Sequence, residues 1–426
     1  MSGTSAGATG TMAVLQPTLY RRCPVRLPRE AYPIQAAIGT QLPTLSPAQQ
    51  GGLSWWVYGT ILAGNACQGA VVTALEPLVG ADGTAALRQR LREWLYDGAD
   101  KDAPCRAEVD VAACFAPLLG WVLAWWHGDA LPLALDATAL GDRLVVLSIS
   151  VLYRGSAIPV AWHVTVANRP GAWLGPILGL LAALAAGVPA DTLVLVLADR
   201  GLWSPSLWDA LRAQGWHPLL RIRQEATFRP LGGRRVRARS LLPGPGHAWV
   251  GAGTAYKHAP KRKHATLVAL WEEGQDEPCL LLTDLAPEAV GPCWYGLRAW
   301  IEVGFRALKS LGWHWERTRR TDPARVARHW LVLAVATLWV LATGTRVEDA
   351  DRLGRDPAHL RVALPPPPSP VRRVTSLFAR GLARLRWQVL RVRRLWTRIW
   401  LWPEPWPAAP PGLIVRVVPS VPPLPG

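Results

Sequence analysis

The stretch LPLALDATALGDRLVVLSISVLYRGSAIPVAWHVTV, Leu131 to Val166, decides the fold. It divides into LPLALDATAL, DRLVVLSISVLYRG and SAIPVAWHVTV, separated by the turn signals Ala-Leu-Gly-Asp and Arg-Gly-Ser. Short apolar and β-branched runs broken in this way read as three adjacent antiparallel strands. Towards the C-terminus, Trp173 to Gly187 has a helical pattern and TLVLVLAD, Thr192 to Asp199, reads as a fourth strand. A helical SPSLWDALRAQG and a fifth strand, WHPLLRIR, follow. The order is βββαβαβ, an α/β arrangement. Two acids punctuate it: Asp136 inside the first strand and Asp199 at the end of the fourth. An Asp within a strand is disfavoured and costly to bury, so it needs a compensating partner. If strands one and four are neighbours, both carboxylates meet at one spot, where divalent cations would relieve their repulsion. Taken alone, Asp199 can equally cap the following turn or helix, a reading that suits Asp136 within its strand less well.

Further on lies YGLRAWIEVGFRALK, Tyr295 to Lys309. Tyr295, Arg298, Glu302 and Lys309 are spaced so that on an α-helix all four fall within about 60° of one another. Leu297, Ile301, Phe305 and Leu308 occupy the adjoining sector, which predicts a buried stripe with a polar row at its edge. A carboxylate flanked by a phenol, a guanidinium and an ammonium suits a metal site beside a phosphate. The same pattern on an arbitrary helix is more often a solvated ladder with an Arg298–Glu302 salt bridge.

At 426 residues the chain has room for two or three domains, and its formal net charge of +17 points to a polyanionic partner. The cysteines, Cys23, Cys67, Cys105, Cys114, Cys279 and Cys293, show no CxxC or Cys/His cluster, which argues against a zinc ribbon and for free thiols. The first residues lack a charged-then-apolar leader, so a cytoplasmic location is expected. Two apolar runs, Trp173 to Val188 and His329 to Thr343, fall short of the ~20 residues of a membrane span and read as core helices.

The remaining segments differ in character. Residues 1–45 read as a flexible N-terminal arm, and 46–125 as an all-α domain opened by the cap Ser46-Pro-Ala-Gln, a candidate binder of DNA ends. Residues 126–223 and 291–346 form the α/β domain, interrupted at 224–290 by a β-rich insertion. Its basic residues, among them Lys261, Arg262 and Lys263, suit phosphate contacts, as do Arg317, Arg319 and Arg320 later on. Trp249 and Trp271 are either stacking residues or strand core. Residues 347–426 read as a Pro/Arg-rich tail: a linker at PPPPSP, a basic amphipathic helix over Val371 to Trp402 for DNA or a partner subunit, and a disordered end from Pro403.

Together these residues resemble the DDE transposases of bacterial insertion sequences, in particular the family with the signature Tyr-x2-Arg-x3-Glu-x6-Lys. Tyr295, Arg298, Glu302 and Lys309 match it at every spacing, and LALDAT and LADRG resemble its two Asp motifs. The resemblance covers about Leu131 to Gly344. It implies a ribonuclease-H-like catalytic domain with a β-rich insertion, in which Asp136, Asp199 and Glu302 hold two Mg2+ ions, with Mn2+ as a substitute. Tyr295, Arg298 and Lys309 would then grip phosphates near the transposon end. The implied activity is cut-and-paste transposition on double-stranded DNA: cleavage at inverted-repeat ends and transfer into target DNA by a homodimer in a synaptic complex, in the bacterial cytoplasm at the nucleoid and without membrane attachment. The competing expectations are a catalytically silent DNA-binding protein of the same fold and a metal-dependent nuclease without strand joining.

Overall fold

The computed structural model describes residues 26–101, 107–168, 173–368, 371 and 373–419. Four helices come first: α1 (Tyr32–Gln41), α2 (Pro47–Ala63), α3 (Gln68–Trp94) and α4 (Phe115–Ala124). Ser46 caps α2 in a reciprocal box with Gln49, as its sequence demands. The strands β1 (Ala130–Leu140), β2 (Leu144–Tyr153) and β3 (Ser156–Val166) follow. Arg154 and Gly155, at φ 42° and 78°, close the β2–β3 hairpin as a two-residue turn whose handedness matches strand twist. Then come α5 (Leu174–Ala185), β4 (Leu193–Ala198), α6 (Pro205–Ala213) and β5 (His217–Arg221).

β1, β2 and β3 pair antiparallel, whereas β1–β4 and β4–β5 are parallel. The sheet order β3-β2-β1-β4-β5 makes strands one and four neighbours, as the two acids require. The insertion comprises β6 (Thr227–Pro230), β7 (Val236–Arg237), β8 (His247–Ala255), β9 (Lys263–Trp271) and β10 (Cys279–Thr283). It adds to the same sheet, because β10 pairs with both β5 and β9. Trp249 is buried among these strands and the Trp271 indole donates to the Gln275 carbonyl, so both serve packing.

After the insertion, α7 (Ala299–Leu308) lies on β3, and α8 (Pro323–Arg352) packs against β3, α2 and α9 (Leu377–Leu390). Gly304 permits the first contact: a Cβ there would stand 2.8 Å from Ala157 Cβ. α3 and α8 are both long and apolar enough by composition to cross a membrane. α8 is instead buried along most of its length, and α3 breaks at Gly80, where φ is 72°. Each fully buried Leu, Val or Trp of α8 contributes on the order of 1.5–3 kcal/mol.

Three expectations about the ends are corrected. Of the supposed flexible arm, residues 1–25 lie outside the described residues, but α1 buries Ile34 and Ile38 in the main core. Apolar side chains at a spacing of four suffice to dock so short a helix. The basic segment's helix is shorter than expected and its apolar face is covered within this chain: Gly381 lies directly against the Val340 carbonyl, and Phe378 packs on Trp313. Arg373 at its entrance joins Glu348 and Glu404 in a buried ion network with Arg154. The end beyond Pro403 is not without structure, since β11 (Ile414–Val418) pairs in parallel with β8. Its alternating Ile, Val and Arg suit an edge strand. Cys67, Cys114, Cys279 and Cys293 are free thiols; Cys23 and Cys105 lie outside the described residues.

Candidate active site

The parallel register pairs Leu135 with Ala198, so the next residues, Asp136 and Asp199, sit side by side where β4 ends. Crevices beyond the carboxyl ends of parallel strands are where such sheets place their ligands. α7 supplies the third acid. Arg298 Nη2 donates to Asp136 Oδ2 at 2.8 Å and its Nη1 donates to Glu302 Oε1 at 3.0 Å. Tyr295 Oη donates to the Ala198 carbonyl at 3.3 Å, and Lys309 Nζ to the Ala139 carbonyl at 2.7 Å. The polar row on one side of this segment is therefore laid across the ends of β4 and β1.

The row differs locally from a single α-helix. Tyr295 and Arg298 lie in a 3-10 turn, Trp294–Arg298, and Lys309 stands just past the end of α7. A step of three is eclipsed in a 3-10 turn, so Tyr295 and Arg298 still share a face. Lys309 reaches β1 because the chain has left the helix.

Electrostatically the site is one unit. Burial pushes the Asp136 carboxyl up, and Glu302 and Asp199 push it further, against the pull of Arg298 and the Ala137 amide. Burial works against the Arg298 cation, but Tyr295, Asp136, Asp199 and Glu302 outweigh it and hold its pKa above the ordinary value. Tyr295 is held well up by burial, and Lys309 is lowered by burial.

Asp136 and Glu302 meet through Arg298, and Arg221 approaches Asp199, so guanidinium groups supply the positive charge these acids need. Among the described residues no three His, Cys, Asp or Glu side chains stand close enough to form a ready metal site. Arg298 lies between Asp136 and Glu302, and Glu302 is 59% exposed. The donor chemistry nevertheless suits a hard divalent cation, which prefers carboxylate oxygen. Asp199 Oδ1 is buried and accepts no hydrogen bond; Arg221 Nη1 approaches only to 3.7 Å.

The other expected DNA contacts separate into two sets. Lys261 and Arg262 are exposed in the β8–β9 connection, and Arg319 is exposed in the turn before α8. Lys263 is a correction: its ammonium is largely buried against Asp209, at 2.6 and 2.8 Å, so its charge is spent within the chain. Arg320 is half-buried and burial lowers its pKa. Arg143 donates to the Arg320 carbonyl.

Two features escaped the sequence reading. Arg221 faces Asp199 and also Glu277, which Arg200 joins. The alternation in WHPLLRIR, which puts Arg221 and Arg223 on one strand face, was the available signal. Beside them opens a cleft of about 830 Å3 lined by Arg200, Trp203, Arg223, Tyr256, Lys257 and Lys261. Trp203 and Tyr256 pack there with ring centroids 4.7 Å apart.

Residues 163–339 match the family model of the transposase DDE domain. The span contains Asp199, Tyr295, Arg298, Glu302 and Lys309, and it begins after Asp136. The match relates this part of the chain to transposase DDE domains. No curated protein matches the chain. Among solved structures, the piggyBac transposase synaptic complex with hairpin DNA, determined by cryo-EM, is similar at 10% identity and a TM-score of 0.37. The likeness covers 84% of this chain and 76% of that one, too distant a match to bear on the site.

Proposed function

We propose that this chain is a metal-dependent DNA transposase of the Tyr-Arg-Glu-Lys signature family, built on a ribonuclease-H-like domain, that cuts at transposon ends and joins them to target DNA. The observation that carries the proposal is the Asp136–Arg298–Glu302 bridge beside Asp199, with Asp199, Arg298 and Glu302 inside the region related to transposase DDE domains. Asp136, Asp199 and Glu302 would hold Mg2+. Bound there, the metal would activate an attacking water or 3′-hydroxyl and stabilise the leaving oxygen.

The protein's own groups supply the positioning. Asp136 lies in a paired strand and Asp199 directly follows one, so the sheet sets where both acids start from. Arg298 neutralises the acids without metal, and its planar fork suits a phosphate equally well. Tyr295 and Lys309 flank it as a phenol donor and an ammonium, forming a clamp for phosphates of the transposon end. The cleft at Trp203 and Tyr256 and the exposed Lys261, Arg262 and Arg319 extend that contact along DNA. The helical region α1–α4 is assigned to end recognition, dimerisation completes a synaptic complex, and the protein works in the cytoplasm on the nucleoid.

The test uses the full chain and duplexes carrying the inverted repeats that flank its gene. Strand cleavage with Mg2+ or Mn2+, lost in Asp136→Ala and Asp199→Ala variants of unchanged stability, is the expected result. Cleavage unaltered by Asp136→Ala would overturn the assignment. Cleavage without joining would reduce it to a nuclease, and repeat binding without cleavage to a silent DNA-binding protein.

A further inference from the structure

Between Pro357 and Pro403 the sequence holds ten arginines and no acidic residue. α9 and the segment after it gather several of them around two indoles. Arg384 stacks 4.4 Å from the Trp387 ring and 4.9 Å from Trp396. Arg393 lies 5.5 Å from Trp387, and Arg346 lies 4.2 Å from Trp396. Such contacts fix the guanidinium planes at about 0.5–1 kcal/mol each. Arg346 donates its N–H groups to the carbonyls of Pro357, Ala358, Leu360 and Arg398, whereas the Arg393 side chain makes no hydrogen bond within the described residues.

A solvated basic face usually interleaves acids, and this one does not. Among the described residues Arg384 has only Asp356, at 3.5 Å, within ion-pair distance. Among the described residues Arg391, Arg393, Arg394 and Arg398 are exposed and form no ion pair. Burial, and then Arg361, Arg384 and Arg398, push the Arg346 pKa down to about 10, which records how crowded with positive charge this corner is. Trp387 remains 38% exposed in the midst of it. None of these groups contacts Asp136, Asp199 or Glu302.

We infer that this arginine–tryptophan surface binds the phosphodiester backbone of double-stranded DNA, as a second and sequence-independent contact separate from the acid cluster. Planar guanidinium forks pair bidentately with phosphate oxygens, and contacts of this kind position a duplex without reading its bases. The choice of DNA over other polyanions rests on the transposase reading; the surface itself does not.

The experiment measures binding of the full chain to a short duplex lacking the inverted repeats, without divalent metal, from about 50 to about 200 mM salt. Wild type is compared with a triple variant, Arg391→Ala, Arg393→Ala and Arg394→Ala, and with the matching triple Lys variant. These side chains are exposed, so unchanged thermal unfolding is expected in both. The Ala variant should lose at least about tenfold in affinity, and its log–log salt slope should shrink by about 2–3, since each neutralised phosphate contributes about 0.9. The Lys variant should keep most of the slope. Unchanged affinity and slope in the Ala variant would overturn the inference. So would loss of binding to phosphatidylglycerol vesicles with DNA binding intact. Repeat-end cleavage is scored separately: cleavage retained while generic binding is unaffected rejects only the surface, and cleavage absent while the salt slope falls as expected rejects only the catalytic reading.

Discussion

Replacing Arg298 with Ala removes the guanidinium that joins Asp136 to Glu302. The Asp136 arm is a charge-assisted hydrogen bond of 2.8 Å between side chains 15% and 19% exposed. Bonds of that kind are worth about 1.5–3 kcal/mol. The Glu302 arm, 3.0 Å long, ends on a carboxylate 59% exposed, so solvent screening reduces it to about 0–1 kcal/mol. The total expected loss is about 2–4 kcal/mol, read as a fall of several degrees in Tm without metal. The variant also leaves Asp136 and Glu302 without their shared cation, so Mg2+ should bind more tightly to it than to wild type, by about tenfold or about 1.4 kcal/mol. Thermal scans with and without Mg2+ and calorimetric titration in the absence of DNA measure both effects. An unchanged Tm, or a Mg2+ response no larger than that of wild type, would refute the reasoning that Arg298 stands where positive charge is needed.

Gly304→Ala places a methyl 2.8 Å from Ala157 Cβ and must shift α7, so repeat-end cleavage should fall about 10–100-fold while DNA affinity changes little. Equal cleavage rates would show that the placement of α7 tolerates the shift. Glu348→Ala removes the buried partner of Arg154 and Arg373 and should cost about 3 kcal/mol in denaturant unfolding, whereas a loss below about 1 kcal/mol would contradict a cooperative network. His329 is 1% exposed, and burial, with Arg320 adding to it, holds its pKa well below the ordinary 6.5. The unfolded chain takes up a proton below about pH 6.5 that the native one refuses. Stability should therefore fall as pH drops from there towards the native pKa, by up to about 1.4 kcal/mol per unit. His329→Leu should flatten that slope, and an equally steep profile in the variant would assign it to other groups.

The sheet and the segment carrying Glu302 were legible because their signals are local. Strand runs such as LVVLSISVLY and TLVLVLA carry their own period and turn punctuation, and the observed strands begin and end within a few residues of the expected ones. Asp136 stood out because it breaks an apolar strand, and Glu302 because Arg298 four residues before it and Tyr295 and Lys309 seven residues to either side complete a polar row. Lys263 could not be separated from Lys261 and Arg262 by sequence, since only the fold brings Asp209, on α6, to its side. The terminal segments misled for a related reason. Arginine and proline density describes a chain's composition, whereas α9 and β11 are held by surfaces on α8 and β8 contributed from far away in sequence.

By itself, then, the sequence determined the strands, the helices and the identity of the acids, because periodicity and turn chemistry act between residues a few positions apart. Only the tertiary structure decided that Asp136 and Asp199 share one strand end and that Arg298 stands between Asp136 and Glu302. It alone decided, too, that the arginine-rich segment closes its apolar side on α8 and turns unpaired cations outward. Those outcomes depend on which distant surfaces meet, and burial and charge compensation settle that over the whole chain.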